Sequence, residues 1–528
     1  MVPNKKGAKI LCILGISLFS SVILLPERAF GLGTERWQVR GFLENNLVLR
    51  DSSGFQYGFM DDLEFVQWRT TFKLETDLGI RQGFPLSRDL EFRIERMFAA
   101  FRAAYDAIYD LKDFPIENEF RTGDFELGRD DLKLDADLRE LYLDMSLSRF
   151  WTRIGRQIVS WGETDAFRIL EIVNPLDSSY NLFFILPEEN RIPLWMGRFI
   201  FTFPDLKSFT NTDLEFLVIP DVRPTLQAPA GAPYAIPIPL EMPTIGNLEI
   251  DLALHEDVPS SRFENSEFGL RLTSLFKRVN FSLAWFYGIQ DNPSPRLSSV
   301  DILLSGGTSI VSDDWTQLGL AEIIQAILRF ETDFDVTVNM DLIHPYLHTL
   351  GFSYNVFEDR TAGTFRGEFT YTWDMAVLDL RAPDLVGRVD RIDWAVGFDR
   401  NTWIHFLNKS TTFLFSLQVI GRHYQDYIPN EGELLGFPVT LNLLRRDSYI
   451  ATLTARTTYY HGLIIPTLFL RLDFDGLLLS NFMLQYLVNN YLSFTLGINS
   501  TWGNEVGDIE RDPFLKISEI SLKTVLQF

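Results

Sequence analysis

Long stretches of this sequence alternate, residue by residue, between two kinds of side chain. From Trp68 to Leu78 every second residue is apolar or a threonine, and the residues between them are Arg, Thr, Lys, Glu and Asp. Similar stretches begin at Phe365, Ile392 and Leu492. Successive side chains of a strand point to opposite faces, so this period of two predicts strands with one apolar and one polar face.

Two folds contain such strands: a soluble sandwich, which buries the apolar face, and a transmembrane barrel, which turns that face to lipid. The predicted strands are about 11–14 residues long, whereas soluble strands are typically about 5–6. Aromatic residues such as Trp373, Trp502, Tyr459 and Tyr460 lie near their ends, as in an interfacial girdle. We therefore predict an all-β fold, a transmembrane antiparallel β-barrel of about 16 strands, within a range of 14–18.

The N-terminal residues predict export. Lys5, Lys6 and Lys9 precede an apolar stretch from Ile10 to Leu25, and small residues follow. This pattern indicates a signal peptide over residues 1–31, with a retained anchor as the alternative, and leaves 32–528 as one barrel domain. Cleavage would remove the one cysteine, and with four basic residues and one acidic residue lost it would change the net charge from -23 to -26. The predicted location is the outer membrane of a Gram-negative bacterium.

The composition excludes several classes of protein. Aromatic residues make up 14% of the chain, which excludes intrinsic disorder. A single cysteine excludes a disulfide scaffold, and the acidic net charge argues against binding to nucleic acid. The uncharged stretch from Gly476 to Asn504 resembles a membrane helix, but its several Asn, Gln, Ser and Thr residues and the turn signals Asp475-Gly476 and Asn489-Asn490 predict two strands instead.

Two segments interrupt the alternation. Apolar residues spaced by three and four predict an amphipathic helix over 94–111, either in an extracellular loop or inside the barrel as a plug, and residues 316–329 predict a weaker second helix. A proline-rich insertion over 204–260 cannot be regular sheet, because proline removes ladder donors. Its uncharged stretch from Pro224 to Leu240 predicts packing inside the lumen or over its mouth.

The most specific motifs follow one another in the first half of the chain. They are Arg153-Ile154-Gly155-Arg156-Gln157, Trp161-Gly162-Glu163, Asn174-Pro175-Leu176-Asp177, Arg191-Ile192-Pro193-Leu194-Trp195, Ile219-Pro220-Asp221-Val222-Arg223-Pro224 and Ala230-Gly231-Ala232-Pro233-Tyr234. In this order they resemble a family of bacterial outer-membrane proteins, the domain of unknown function numbered 1302, within a porin-like superfamily. The resemblance implies an outer-membrane barrel with no agreed catalytic residues to carry over. Members of the family are often encoded near RND-type exporters and periplasmic lipid-handling proteins, which suggests traffic in hydrophobic molecules.

The residues around the first of these motifs predict how they are held. Alternation from Trp151 to Trp161 predicts a strand, and Arg153, Arg156 and Gln157 predict contact with protein on at least one side of it. We expect this strand to form hydrogen bonds with the segment Trp161–Asp177 inside the lumen. In the purely structural interpretation, Arg156 pairs with Glu163 or Asp165.

Catalytic and metal-binding patterns are weak. His344 and His348 have a spacing of four, which brings metal ligands together only on a helix, and Pro345 opposes a helix there. No Gly-rich phosphate loop and no Gly-x-Ser-x-Gly motif occurs. A hydrolase with a serine beside His423 or His461 remains an alternative, but the chain is predicted not to be an enzyme and to need no metal or cofactor.

The predicted function is a channel or transporter for small, hydrophobic or lipid-like molecules. The alternatives are an outer-membrane partner of periplasmic or RND-type export components and, less favoured, an outer-membrane hydrolase. Residues predicted to line the lumen or brace a plug are Arg69, Lys73, Arg153, Arg156, Gln157, Glu163, Arg366, Glu368 and Asp393. Residues predicted to gate the channel or contact substrate are Phe98, Phe101, Tyr105, Trp161, Trp195 and Tyr234. The predicted partners are outer-membrane lipid, small hydrophobic molecules and periplasmic exporter components.

Overall fold

The structure, a computed structural model, describes most of the chain from residue 33 onward. The described residues are 33–34, 37–51, 63–87, 91–116, 121–122, 128–164, 168–181, 187–235, 250–304, 309–312, 334–428, 431–434, 437–440, 445–503 and 518–528. The predicted signal peptide over 1–31 and the predicted helix over 316–329 lie outside them.

Strands dominate this part of the chain and are labelled β1 to β26 in chain order. Eighteen of them form one closed barrel: β2 Trp37–Asp51, β3 Leu63–Pro85, β4 Glu91–Asp106, β6 Leu134–Leu147, β7 Phe150–Gln157, β8 Leu194–Thr202, β9 Phe209–Ile219, β11 Glu267–Phe276, β12 Val279–Ile289, β16 Tyr346–Glu358, β17 Gly363–Leu378, β18 Val386–Thr402, β19 Phe413–Gln425, β22 Asp447–Arg456, β23 Ile464–Asp473, β24 Leu478–Leu487, β25 Leu492–Trp502 and β26 Ser518–Gln527. The others are β1 Gly33–Thr34, β5 Arg121–Thr122, β10 Ile250–Asp257, β13 Ser294–Leu304, β14 Ser309–Ser312, β15 Phe334–Ile343, β20 Glu431–Leu434 and β21 Phe437–Thr440.

Helices are short in the described residues. They are α1 Ile108–Leu111, α2 Arg129–Lys133 and α3 Pro187–Asn190, with 3-10 turns at Phe263–Asn265 and Tyr460–Gly462. Within the described ranges, no helix has the length and apolar character needed to span a membrane.

The barrel closes because its last strand pairs with its first. Each barrel strand pairs antiparallel with its neighbour in the chain, and β26 pairs with β2 through partners such as Leu526 and Leu43. Gly41 and Phe528 exchange two backbone hydrogen bonds of 2.7 and 2.8 Å at the seam. Closure leaves no open sheet edge. The predicted transmembrane barrel fold is confirmed, with 18 strands rather than about 16.

Alternation places the two kinds of side chain on opposite faces of the wall, as predicted. On β3, Leu74 and Leu78 are exposed on the outer face, whereas Arg69 and Thr71 are buried on the inner face. The predicted hairpin turns are also present, since β23 and β24 flank Asp475-Gly476 and β24 and β25 flank Asn489-Asn490. The local pattern therefore decided which face of each strand meets the lumen.

The helix predicted over 94–111 is wrong, because β4 occupies Glu91–Asp106 and only Ile108–Leu111 is helical. A bulge at Glu95 adds one residue between Ile94 and Arg96 and so creates a spacing of three within a strand. The spacing of four from Met97 to Phe101 is even, and an even spacing keeps side chains on one face of a strand. The apolar pattern thus fits a bulged strand as well as a helix.

The proline-rich insertion begins later than predicted. Phe209–Ile219 is the barrel strand β9, so the prediction that 204–260 contains no regular sheet is wrong for this part. The prolines that interrupt pairing start at Pro220, and residues 220–235 follow an irregular path. Strand β10 ends the insertion at Ile250–Asp257, and residues 236–249 lie outside the described ranges.

The two ends of the barrel differ in the length of their connections. At one end, the short-turn end, eight connections of two to ten residues join the strands, and the first barrel strand begins and the last one ends there. At the other, the long-loop end, nine connections of 4 to 56 residues join them. Bacterial barrels carry short turns on the periplasmic side and long loops outside the cell.

The two ends also differ in charge. Counted along the sequence between the strand bounds, the long-loop connections contain 42 acidic and 15 basic residues. The short-turn connections contain 3 acidic and 7 basic residues. The acidity of the chain is therefore concentrated in the long-loop connections.

Some long-loop connections form a second sheet. Its strand order is β14-β13-β15-β10-β5, with β10 parallel to both β15 and β5. These strands come from three different connections at the long-loop end, so the sheet ties those connections together. A separate hairpin pairs β20 with β21.

Candidate functional site: the lumen and its inner segment

The chain leaves the barrel wall after β7 and returns at β8, and we call the described residues between them, 158–164, 168–181 and 187–193, the inner segment. The strand ends at Gln157 rather than continuing to Trp161, because Asn174 takes over the backbone bonds. Its Oδ1 accepts from the Val159 amide (2.8 Å), and its Nδ2 donates to the carbonyls of Ile192 (2.8 Å) and Gln157 (3.4 Å). The expected hydrogen bonds between this strand and the following segment are therefore present.

Gly155 shapes the wall just before this departure. Its φ is +138°, and a Cβ at this position would overlap the backbone carbonyl of Leu141 on the neighbouring strand. Only glycine combines this backbone conformation with so close an approach.

We expect Gly155→Ala to destabilise the barrel by about 2–3 kcal/mol, because both the strained φ and a rigid backbone clash are introduced. The thermal midpoint of unfolding by circular dichroism measures this change. Gly197→Ala is the matched control, since a Cβ there meets only the movable ring of Phe199. Equal midpoints for the two variants would contradict the expectation.

An apolar face of the inner segment packs on the inner wall. Trp161, Leu170 and Val173 are fully buried against side chains of β8, β9 and β12, among them Leu194, Met196, Leu217, Ile219, Ala284 and Phe286. The rings of Trp161 and Phe286 meet edge to face with centroids 6.1 Å apart. Burying each of the large side chains stabilises the packed state by about 1.5–3 kcal/mol.

Two wall glycines provide the space for this packing. A Cβ at Gly269 would lie 2.7 Å from Cη2 of Trp161, and one at Gly351 would overlap Cδ1 of Leu170. Both glycines lie on the inner face of the wall, on β11 and β16. The wall is thus shaped to receive two particular side chains of the inner segment.

Polar groups of β17 bind the backbone of the inner segment. The Glu368 carboxylate accepts hydrogen bonds from the amides of Glu163, Thr164 (2.6 Å) and Leu170 (2.9 Å). Arg366 donates to the Glu163 carbonyl and pairs with Asp399 at 2.9 Å. The structure therefore brings together three residues that were predicted to line the lumen or brace a plug.

Glu171 holds the inner segment together from within. Its carboxylate accepts from the Ser160 hydroxyl (2.5 Å) and the Gly162 amide (2.7 Å), and it pairs with Arg191 at 3.0 Å. Arg168 donates to the carbonyls of Glu171 and Asn174. The segment is thus a compact unit rather than an extended loop.

The far end of the inner segment is fixed by cations of the wall. The Tyr180 ring lies 4.3 Å from the Arg69 guanidinium and 5.9 Å from that of Arg102. Arg139 donates to the carbonyls of Glu189 (3.1 Å) and Arg191 (2.8 Å).

Glu189 forms an ionic latch with two lysines. Its carboxylate lies 3.3 Å from Lys73 of β3 and 3.6 Å from Lys523 of β26. Burial by itself raises the pKa of Glu189, but the charges of Lys523 and Lys73 outweigh it and hold the pKa below its ordinary value.

The ionic latch of Glu189 with Lys73 and Lys523 should break at low pH. A lowered pKa means that the contact is complete above the ordinary glutamate pKa of about 4.3 and is lost as pH falls through the lowered value. We expect the conductance of planar bilayers that contain the protein to rise only below about pH 4. Glu189→Gln should conduct more than the wild type at neutral pH and lose this acid step. If the conductance of Glu189→Gln rises below the same pH as that of the wild type, another titrating group causes the rise.

Other predicted lumen residues connect wall strands to one another. Arg153 of β7 forms an ion pair with Asp144 of β6 at 2.6 Å. Asp393 of β18 forms ion pairs with Arg422 of β19 and with Arg391 of its own strand, at 2.7 Å each. Gln157 is buried and donates to the Met196 carbonyl. The expected pairing of Arg156 with Glu163 is wrong, and Asp165, the other expected partner, lies outside the described residues.

Arg156 binds three groups other than Glu163. It pairs with Asp137 at 2.5 Å and donates to the carbonyls of Leu138 and Pro193. It does so because the unusual φ of Gly155 changes the direction of the chain immediately before it.

The predicted gate residues divide between the two faces. Phe98 is on the inner face, where it stacks on Tyr142 with centroids 5.1 Å apart, and Trp161 packs as described. Phe101, Tyr105 and Trp195 are on the outer face, with Phe101 and Trp195 40% and 43% exposed, so their prediction as gate residues is wrong. Phe101 and Tyr105 belong to the helix that was predicted over 94–111, whereas they lie on strand β4, which turns them outward.

The start of the proline-rich insertion also packs inside the structure. Its Leu226 exchanges backbone hydrogen bonds of 2.8 Å with Leu176 and Ser178 of the inner segment. Tyr234 is buried against Val48 and Val66 of the wall, 5.0 Å from the Arg50 guanidinium. Burial raises the pKa of Tyr234 well above its ordinary value.

Sequence reasoning missed the residues that hold the inner segment in shape. Glu171, Asn174, Tyr180 and the glycines at 269 and 351 have no distinctive spacing. Asn174 lay within a recognised motif, and that was its only signal.

The histidines are not brought together. His344 is buried, with Nε2 2.8 Å from Glu256 and Nδ1 2.7 Å from the Gln290 carbonyl, whereas His348 stacks on Trp285. His423 pairs with Asp447 at 2.7 Å. Among the described side chains, no three His, Cys, Asp or Glu residues are arranged to hold a metal ion.

One protein family matches the chain. The family described as "Protein of unknown function (DUF1302)" matches residues 58–507. No curated protein matches the chain.

Several solved structures are similar in shape. OccAB3 of Acinetobacter baumannii has a TM-score of 0.48 and 10% identity, over 94% of this chain and 100% of that one. The outer membrane protein opdK from Pseudomonas aeruginosa has a TM-score of 0.44 and 9% identity, over 94% and 100%. A BenF-like porin from Pseudomonas fluorescens Pf-5 has a TM-score of 0.45 and 9% identity, over 93% and 98%.

Proposed function

The chain belongs to the family described as protein of unknown function (DUF1302), and we propose that it is an outer-membrane channel for small molecules whose lumen the inner segment obstructs at rest. The closed barrel with an apolar outer face supports membrane insertion, because closure satisfies every strand edge in lipid. The short turns then face the periplasm and the long loops face the outside.

The observation that carries this proposal is the attachment of the inner segment to the lumen wall. Glu171 holds the segment together through Ser160, Gly162 and Arg191, and these contacts are distinct from those that Glu368 of the wall makes with the segment. A unit that keeps its shape when its wall contacts break can move without unfolding. We infer that passage through the lumen requires displacement of this segment.

The substrate class is a further part of the proposal. Many charged residues of the described inner wall occur in ion pairs such as Arg153–Asp144 and Arg391–Asp393, which reduces the excess charge that could select ions. Small hydrophobic or amphipathic molecules remain the proposed substrates. Their apolar parts fit the uncharged stretch that begins at Pro224.

The experiment is solute uptake by proteoliposomes. An apolar aromatic compound, a neutral sugar and a charged amino acid of similar size are compared at equal concentration. Faster uptake of the aromatic compound supports the full proposal, whereas equal uptake of all three supports a channel without the hydrophobic preference. If neither the wild type nor variants that release the inner segment, such as Glu368→Gln and Gly351→Val, take up any solute, the proposal of a channel is overturned.

The alternative function is a partner of periplasmic or RND-type export components. The exposed aromatic turns at the short-turn end favour it. A hydrolase is less favoured, and we propose that the protein is not an enzyme. His423→Ala is the test, since loss of a measurable hydrolase activity in this variant would favour an enzyme.

A further inference from the structure

Two neighbouring turns at the short-turn end are built differently from the others. Residues 403–412 join β18 to β19, and residues 457–463 join β22 to β23. They lie side by side because β19 pairs with β22. We call them the paired turns.

Asn408 fastens the paired turns to each other. It is almost fully buried, and its Nδ2 donates to the Thr411 hydroxyl (2.9 Å), the Thr457 hydroxyl (3.0 Å) and the Thr458 carbonyl (2.9 Å). Its Oδ1 accepts from the Ser410 and Thr411 amides at 2.9 and 3.2 Å. A buried side chain with all its polar atoms satisfied makes the two turns one rigid unit.

This rigid unit presents large apolar side chains to its surroundings. Phe406 is 85% exposed and Tyr460 is 72% exposed, and Trp403 and Leu407 are about half exposed. Exposed apolar patches of this kind mark sites of interaction. Phe406 lies four residues beyond the end of β18, whereas the aromatic girdle of a barrel lies at the strand ends next to the headgroups. Its position therefore favours a protein over lipid as the occupant.

The backbone of the second turn is strained at two residues. Tyr460 and His461 have φ values of +50° and +59°, which non-glycine residues seldom adopt. The strain holds the Tyr460 ring outward, where it has little contact with the barrel. Strain of this kind is found where a side chain is positioned for a function.

The charge of this end indicates the chemistry of the occupant. The paired turns contain Lys409 and no acidic residue, and the short-turn connections as a group are basic, in contrast to the long-loop connections. A partner that approaches this end is steered by acidic side chains of its own.

We propose that the paired turns are a docking surface for a periplasmic protein that has an apolar pocket rimmed by acidic residues. Phe406 and Tyr460 are the anchors that enter the pocket, because rigid aromatic side chains contribute most of the binding energy at interfaces. Lys409 pairs with the acidic rim. The proposal depends on the proposed orientation in the outer membrane but not on channel activity.

The first experiment is photo-crosslinking in intact cells. A photoreactive phenylalanine replaces Phe406 or Tyr460, and the control replaces Val396, which is exposed on the outer face of β18. We expect one protein adduct of the same mass at 406 and 460 and only lipid adducts at 396. Lipid adducts at all three positions would assign the turns to the membrane interface and overturn the proposal.

The second experiment identifies the partner protein from the crosslinked adduct, purifies it in free form and measures its binding to the full-length barrel in nanodiscs. We expect Phe406→Ser to weaken the affinity at least tenfold and Lys409→Glu to slow association and remove its dependence on salt. Asn408→Ala should weaken binding while both aromatic side chains remain. Unchanged affinity in Phe406→Ser would overturn the docking surface.

Solute uptake by Phe406→Ser separates this inference from the proposed function. We expect uptake equal to that of the wild type. If the wild type binds the partner but shows no uptake, the proposal of a channel fails and the proposal of a docking surface stands.

Discussion

Glu368→Gln should open the channel. The substitution removes the negative charge that accepts three backbone hydrogen bonds from the inner segment, and it turns an amide donor toward at least one of those N–H groups. A hydrogen bond to a charged group contributes about 1.5–3 kcal/mol, and about 1.4 kcal/mol corresponds to a factor of ten. We expect the open probability in planar bilayers to rise at least tenfold.

Glu215→Gln is the matched control for this variant. Glu215 is as buried as Glu368 and undergoes the same chemical change, but it pairs with Arg198 of the neighbouring wall strand. Its conductance should stay near that of the wild type. The rate of thiol labelling of a cysteine introduced at the buried position Val173 measures how often the inner segment is exposed. This rate should increase in Glu368→Gln and not in Glu215→Gln. Equal labelling rates in the two variants would show that Glu368 does not hold the segment.

Gly351→Val should displace the inner segment from the other side. A Cβ at this position overlaps the Leu170 side chain, whereas the strand itself accepts valine readily. The barrel should therefore keep its stability while Leu170 loses its place in the wall. We expect a conductance increase comparable to that of Glu368→Gln, because the apolar contact contributes about 1.5–3 kcal/mol.

A compensating substitution makes this prediction specific. Leu170→Ala provides the space that valine takes, so Gly351→Val with Leu170→Ala should conduct less than Gly351→Val alone. Gly497→Val is the control on the inner face of β25, where a new side chain meets Ser521 and not the inner segment. Additive effects of the two substitutions would contradict a direct contact between them.

The position of the inner segment could not have been predicted from the sequence. Glu368 binds residues about 200 positions earlier in the chain, and Glu189 binds Lys523, more than 300 positions later. Such contacts depend on the register of all the strands between them, which leaves no local pattern. The sequence supplied Arg366 and Glu368 as candidates because they lie on the polar face of an alternating strand, and Glu163 because it belongs to the motif Trp161-Gly162-Glu163, but it did not pair them.

The helix predicted over residues 94–111 was also wrong because the conformation of this segment depends on its pairing with other strands. A single bulge at Glu95 changes the phase of β4, so its apolar residues fit a helical period. The neighbouring strands β3 and β6 decide the conformation, because pairing with both satisfies the backbone of the segment in the barrel wall. Tertiary pairing therefore overrode the local period.

The sequence by itself determined the barrel, the face of each regular strand and the hairpins at Asp475-Gly476 and Asn489-Asn490, because alternation and turn chemistry are local and repeat along the chain. It also contained the excess of acidic residues. Only the tertiary structure assigned that excess to one end of the barrel, placed the described inner segment inside the wall and matched Trp161 and Leu170 to glycines. Strand order and closure decide these features, since they bring together residues that are distant in the chain.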